Sequence, residues 1–161
     1  MEKNRILGIA RCALIILCMT VFTACGLLQN TSNRLLTPQE HINLGVTYEN
    51  ARELDSAEKE YRIASKDIPV AYLYLGNVYF QKGLFDKAEK AYRKAIDGTN
   101  DPRALNNLAW LYYTRDVKLD EAEKLAAAAV DINPGNVEFS DTLTKIREKR
   151  MIKATESPVV N

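Results

Sequence analysis

The chain has 161 residues, 22 of them Lys or Arg and 21 Asp or Glu, for a formal net charge of +1. That balance supplies no basic field for a nucleic acid backbone or a polybasic membrane patch, so no nucleic acid partner is expected. One histidine (His41) and three cysteines form no cluster at metal-ligand spacing, and no nucleophile stands beside a candidate base, so no catalytic residue, metal, cofactor or small-molecule substrate is expected.

Residues 1–24 open with Lys3, Arg5 and Arg11, run through a largely apolar stretch from Cys12 to Phe22, and end in Thr23-Ala24 before Cys25-Gly26. A basic start, an apolar middle and a small residue at the break describe a secretory signal peptide. An uncleaved anchor is the alternative, because Ile6 to Leu28 is long enough to span a bilayer and holds one Arg. Cysteine directly after Thr-Ala resembles a bacterial lipobox, with Phe22 where Leu is commoner. The resemblance implies lipidation at Cys25, which becomes the first mature residue, and a membrane partner reached through it. Cys12 and Cys18 would leave with the signal, so no disulfide is possible in the mature chain. Gly26 after the cysteine, in place of Asp, lacks the family's inner-membrane retention signal. In a Gram-negative source that implies a lipid-anchored envelope protein on the periplasmic side of the outer membrane. Residues 25–36 then form a flexible tether, polar at Asn30-Thr31-Ser32-Asn33, with a reach of roughly 40 Å when extended.

The first helix is signalled by Thr37-Pro38-Gln39-Glu40, with Thr as N-cap, Pro at the first helical position and Glu at the third. His41 falls inside it and reads as a partly buried packing residue. From there a pattern repeats. Asp55-Ser56-Ala57-Glu58-Lys59, Asp86-Lys87-Ala88-Glu89-Lys90 and Asp120-Glu121-Ala122-Glu123-Lys124 are offset by 31 and then 34 residues. In each, Asp reads as an N-cap and Glu as its capping-box partner. Ala64, Ala95 and Ala129 follow on the same face as the first Ala, with Tyr61, Tyr92 and Ala126 between. Upstream of each lies an apolar segment: His41 to Tyr48, Tyr72 to Tyr79, and Leu105 to Tyr112. Gly45 and Gly76 inside these segments would each cost ~1 kcal/mol in a helix, which points to close helix contact. Asp101-Pro102 starts the third unit, and Gly83 and Gly98 read as left-handed stops. After Pro134-Gly135-Asn136, residues 137–152 read as a seventh helix, with Phe139, Leu143 and Ile146 on one stripe. Residues 153–161 read as a disordered tail.

Self-similarity at this period marks an all-α helical repeat array. Leu44-Gly45 with Tyr48, Leu75-Gly76 with Tyr79, the near match Leu108-Ala109 with Tyr112, and the Ala-Tyr-Ala sets of the second helices resemble the tetratricopeptide repeat. Pro69 and Pro134 match its closing proline. The first repeat is short by about three residues, and the third carries an insertion near Val117. The resemblance implies a right-handed solenoid of three helix pairs, residues 37–68, 69–101 and 102–136, with residues 137–152 as a capping helix.

In that family the first helix of each pair lines a concave groove. Carried across, the groove positions are Gln39, Ile42, Val46, Glu49 and Asn50, then Val70, Leu73, Asn77, Phe80 and Gln81, then Arg103, Asn106, Trp110, Tyr113 and Thr114. The binding set drawn from these is Val46, Asn50, Leu73, Asn77, Phe80, Gln81, Arg103, Asn106, Trp110 and Tyr113. Phe80, Trp110 and Tyr113 are the expected anchors. Asn77 and Asn106 would pair with the backbone of an extended peptide. Alternatively, Trp110 and Tyr113 pack on the neighbouring helix. Asn77, Asn107 and Arg103 partly suggest the family's carboxylate clamp, but Leu73 stands where Lys is wanted and the last helix offers Glu138 and Thr142 in place of a basic pair. The resulting expectation is a membrane-anchored adaptor or scaffold of the bacterial envelope, binding a protein or extended peptide in its groove. The alternatives are an assembly factor resembling the pilotins of type IV pili or a secretion complex, and a non-catalytic partner of an envelope hydrolase or peptidase.

Overall fold

A computed structural model describes residues 35–156; the expected signal peptide, Cys25, most of the tether and the end of the tail lie outside the described residues. Among the described residues seven helices follow one another: α1 (Pro38–Asn50), α2 (Leu54–Ala64), α3 (Ala71–Gln81), α4 (Phe85–Thr99), α5 (Pro102–Arg115), α6 (Leu119–Ile132) and α7 (Val137–Glu156). The pairs are α1 with α2, α3 with α4 and α5 with α6, and each pair packs on the next through its second helix. α7 closes the array against α6 and α5. This is the helical-repeat solenoid that the repeat period predicts. No helix among the described residues is long and apolar enough to cross a membrane.

Small side chains set the spacing. Ala57, Ala64, Ala88, Ala95, Ala122 and Ala129 are all fully buried, one pair to each second helix. Gly45 and Gly76 do the same work on the first helices, since a Cβ at either would strike the ring of Tyr61 or Tyr92. In the third pair Ala126 replaces the tyrosine, and Ala109 takes the glycine's place. Ring and methyl are therefore exchanged together.

The helix starts divide into two kinds. Thr37 closes a capping box with Glu40, and the Asp101 side chain accepts from Arg103 N ahead of Pro102, as their sequences require. Asp55, Asp86 and Asp120, in contrast, are not caps. α2, α4 and α6 begin one residue before each, behind Glu53, Leu84 and Lys118, which make no side-chain capping bond. Leu54 and Phe85 at the first helical position pack against the core, which draws the helix start forward. The aspartates sit in the first turn, where the helix dipole favours them.

Glu58, Glu89 and Glu123, relieved of capping, reach across to the next unit instead. Glu58 accepts from Lys82 Nζ at 2.6 Å and Tyr79 OH at 3.3 Å. Glu89 accepts from Lys118 Nζ at 2.8 Å and Tyr112 OH at 2.7 Å. Glu123 accepts from Arg147 Nε at 2.8 Å and also pairs with Arg150. The repeated carboxylate is a clasp between units.

Two stops also differ from expectation. Gly83 turns left-handed at φ +71°, as read, but Gly98 lies inside α4, and Asn100 ends that helix at φ +48°. Gly98 is small for another reason: a Cβ there would meet Pro69 Cβ at 2.6 Å. The insertion near Val117 gives the third turn two left-handed residues, Asp116 and Lys118, where the earlier turns have Arg52 and Gly83 alone. α7 continues past residue 152 to Glu156, beyond where the tail was expected to begin. Lys149 and Lys153 hold that extension to Asp116 at 3.2 and 2.6 Å, and no Gly or Pro interrupts it.

Candidate functional site

The first helices α1, α3 and α5 carry the expected groove positions, and those positions fall into three groups. At position five, Ile42, Leu73 and Asn106 are only 2–3% exposed. They lie in the core, and Leu73 packs in the cluster that holds Ala88, Tyr92 and Leu108. Leu73 and Asn106, expected in the groove, are therefore core residues out of reach of a groove ligand. Asn106 Oδ1 is buried with no hydrogen-bond partner among the described residues.

A second group converges. Asn77, Phe80, Gln81 and Trp110 line a cavity of about 260 Å³, together with Glu49, Asn107 and the Tyr92 phenol. Tyr92 comes from α4, the second helix. Gly76 lets its ring pass beneath α3, so its hydroxyl emerges at the cavity and donates to Asn77 Oδ1 at 3.0 Å. Asn107 Nδ2 donates to the same oxygen at 2.8 Å. Asn77 Oδ1 is thereby filled, while Asn77 Nδ2 and Asn107 Oδ1 make no hydrogen bond among the described residues. One open donor and one open acceptor stand side by side.

Tyr61 repeats the arrangement one unit earlier, passing Gly45 to donate to Glu49 Oε2 at 2.9 Å. Gln81 Nε2 from the next unit donates to Glu49 Oε1 at 2.5 Å. Burial first, and then Glu49, raises both the Tyr61 and the Tyr92 phenol above the ordinary tyrosine range, so both stay protonated as donors. No Lys or Arg lines this cavity.

The remaining residues stand apart from it. Val46 and Asn50 are on the surface of α1. Arg103 is engaged by Asp101 through Nε and Nη2, at 3.0 and 2.6 Å. Tyr113 stacks on Trp110 with ring centres 5.0 Å apart. Lys145 and Lys149 of α7 stand over the Trp110 and Tyr113 rings at 5.5 and 4.7 Å, and Lys149 Nζ donates to the Tyr113 carbonyl. Packing on the neighbouring helix thus describes Tyr113, whereas Trp110 also reaches the cavity. Phe80 meets Phe85 edge to face at 5.6 Å.

Asn107 and the Tyr92 hydroxyl are absent from the binding set read from sequence. Asn107 sits one residue past the assigned position, and its pairing with Asn77 is legible only once α3 and α5 are side by side. The Tyr92 ring lies in the core, between the buried Ala88 and Ala95 of its own helix. The adjacent Gly76 was the signal that the ring continues through.

Residues 69–97 match the family model of the tetratricopeptide repeat. No curated protein matches the chain by sequence. Among solved structures, the first tetratricopeptide domain of Spaghetti (RPAP3) bound to the HSP90 peptide SRMEEVD is 22% identical, with a TM-score of 0.67 over 71% of this chain and 93% of that one. The first such domain of human RPAP3 is 22% identical at a TM-score of 0.68, covering 74% and 97%. The Sgt2 domain from Aspergillus fumigatus is 15% identical at 0.68, covering 77% and 87%. At these identities the likeness is one of fold.

Proposed function

We propose that this chain, which carries a tetratricopeptide repeat and folds as a short array of that kind, is an adaptor that binds an extended protein segment in its groove and is held to a bacterial envelope membrane through lipidated Cys25. The observation that carries the binding half is the cavity at α1, α3 and α5. Asn77 Nδ2 and Asn107 Oδ1 offer a donor and an acceptor to one peptide unit, and Phe80 and Trp110 flank them as apolar anchors. The HSP90 peptide on the RPAP3 domain supports a peptide as the class of occupant.

The groove chemistry narrows that occupant. With Glu49 in the wall, no cation lining it and Leu73 buried where a clamping lysine would stand, an acidic C terminus is disfavoured. A neutral or basic segment with an apolar side chain fits better. The anchor half rests on the sequence Thr23-Ala24-Cys25-Gly26 after an apolar stretch. Acyl chains at ~0.8 kcal/mol per buried CH₂ would make such an anchor durable.

Each half has its own test. A photoreactive residue at exposed Gln81 should crosslink one partner in cells, and no crosslink, or one unchanged by Trp110→Ala, contradicts the groove. Intact mass of the membrane-extracted protein should start at an acylated Cys25. A mass that begins at Met1, or an unmodified Cys25, removes the anchor and leaves the groove standing.

A further inference from the structure

A second cavity, of about 370 Å³, shares no lining residue with the first and is opposite in charge. It lies over α3, between α2 and α4. Arg62 of α2, Lys66 in the turn after it, and Lys87, Lys90 and Lys94 of α4 form its walls. Tyr72, Leu75 and Tyr79 lie between them, with Lys94 over the Tyr72 ring at 4.9 Å and Lys87 over Tyr79 at 5.6 Å. All five cations are exposed, and none makes an ion pair among the described residues. Glu58, which accepts from Tyr79 at the cavity edge, is already paired with Lys82.

The neighbouring seams show what this arrangement departs from. One unit on, Arg93 stands in the place of Arg62, and Glu121 in the place of Lys87; they pair at 2.8 Å. At the last seam Arg147 and Arg150 of α7 are held by Glu123 and Asp120. At the first seam Asp55 and Glu58 hold Lys82 in the same way, but Arg62 and Lys66 face Lys87, Lys90 and Lys94, with no carboxylate in the place of Glu121. With the nearby Asp55 and Glu58 committed to Lys82, the five cations on facing walls leave a net positive field that an anionic partner would relieve.

We infer that this cavity is a second docking site, for an acidic segment of a partner protein that carries an aromatic or leucine side chain between its carboxylates. The lysines on either wall would meet the carboxylates, and the apolar side chain would lie on Tyr72, Leu75 and Tyr79. A flat anionic bilayer would touch the rim lysines and leave this floor uncovered, which is why a protein segment is the occupant. With the Glu49 groove on other residues, the array could hold two segments of opposite charge at once.

The test measures fluorescence polarisation of a labelled peptide of alternating glutamate and phenylalanine on the full chain. A parallel arm uses vesicles of equal parts phosphatidylglycerol and phosphatidylcholine. Binding of the peptide should weaken as salt rises, and should fall about tenfold or more in the Lys66→Glu, Lys90→Glu pair. The neutral Lys66→Gln, Lys90→Gln pair gives the same reading should the reversal disturb folding. Lys124→Glu, at the equivalent exposed site in the third unit, and Trp110→Ala should leave it unchanged. The inference is overturned if the peptide does not bind, if Lys124→Glu weakens it equally, or if the paired variants lose only the vesicles.

Discussion

Tyr92 lies with its ring in the space that a Cβ on Gly76 would fill, and its hydroxyl continues past that point to Asn77 at 3.0 Å. Tyr92 is 2% exposed and has no room to retreat. Gly76→Ala gains ~1 kcal/mol of helix propensity but overpacks a filled site at a cost of roughly 1–3 kcal/mol. The expected outcome is a lower melting temperature and weaker groove binding. Ala109→Gly, where Ala126 has replaced the ring, should cost only about the propensity difference. A Gly76→Ala protein that melts higher than the parent would contradict this packing.

Asn106 occupies the buried position that Ile42 and Leu73 hold in the other units, and its Oδ1 has no partner among the described residues. A buried polar atom left unsatisfied costs about 1–3 kcal/mol. Asn106→Leu should therefore raise stability by about 1 kcal/mol or more in thermal melting while leaving groove binding unchanged. Destabilisation of similar size would mean that the amide has an essential partner.

Glu89 sits at the clasp between the second and third units. Burial raises its carboxyl, but Lys118, Tyr112 and Arg93 outweigh burial and hold it below the usual 4.5. A carboxylate with a depressed folded value adds stability above its unfolded value and loses it as pH falls through the folded one. Melting temperature should thus fall as pH drops below about 4.5, and Glu89→Gln should flatten that acid limb while lowering stability at neutral pH. An unchanged acid limb would show that Glu89 does not set the acid sensitivity. Tyr112, its donor, is pushed up to about 12 by burial and by Glu89, so it stays a donor across this range.

The array was legible because its signals are local and repeated. Alanines seven residues apart, Leu-Gly-x-x-Tyr and Thr37-Pro38 each state a packing face or a helix start within one turn. What escaped was anything decided by a neighbour in space. Asp55, Asp86 and Asp120 look like caps until the packing of Leu54 and Phe85 moves the helix start. Glu58 and Glu89 look like capping partners until Tyr79 and Tyr112 arrive from the next unit. Groove assignment failed at Leu73 and Asn106 because their position faces the seam between helices, and it missed Asn107 because its partner Asn77 is 30 residues away.

The groove at Asn77, Phe80, Asn107 and Trp110 is proposed as the place where a partner segment binds. The most direct measurement of this is the affinity of the partner segment identified by crosslinking for the parent chain, Phe80→Ala, Trp110→Ala and the outer-face control Lys124→Ala, with helicity followed by circular dichroism. Truncating an aromatic anchor typically costs ~2 kcal/mol, about thirtyfold in affinity. Phe80→Ala and Trp110→Ala should each weaken binding by about that factor with helicity retained, and Lys124→Ala should match the parent. Binding that survives both aromatic truncations would contradict the claim and move the site off this groove.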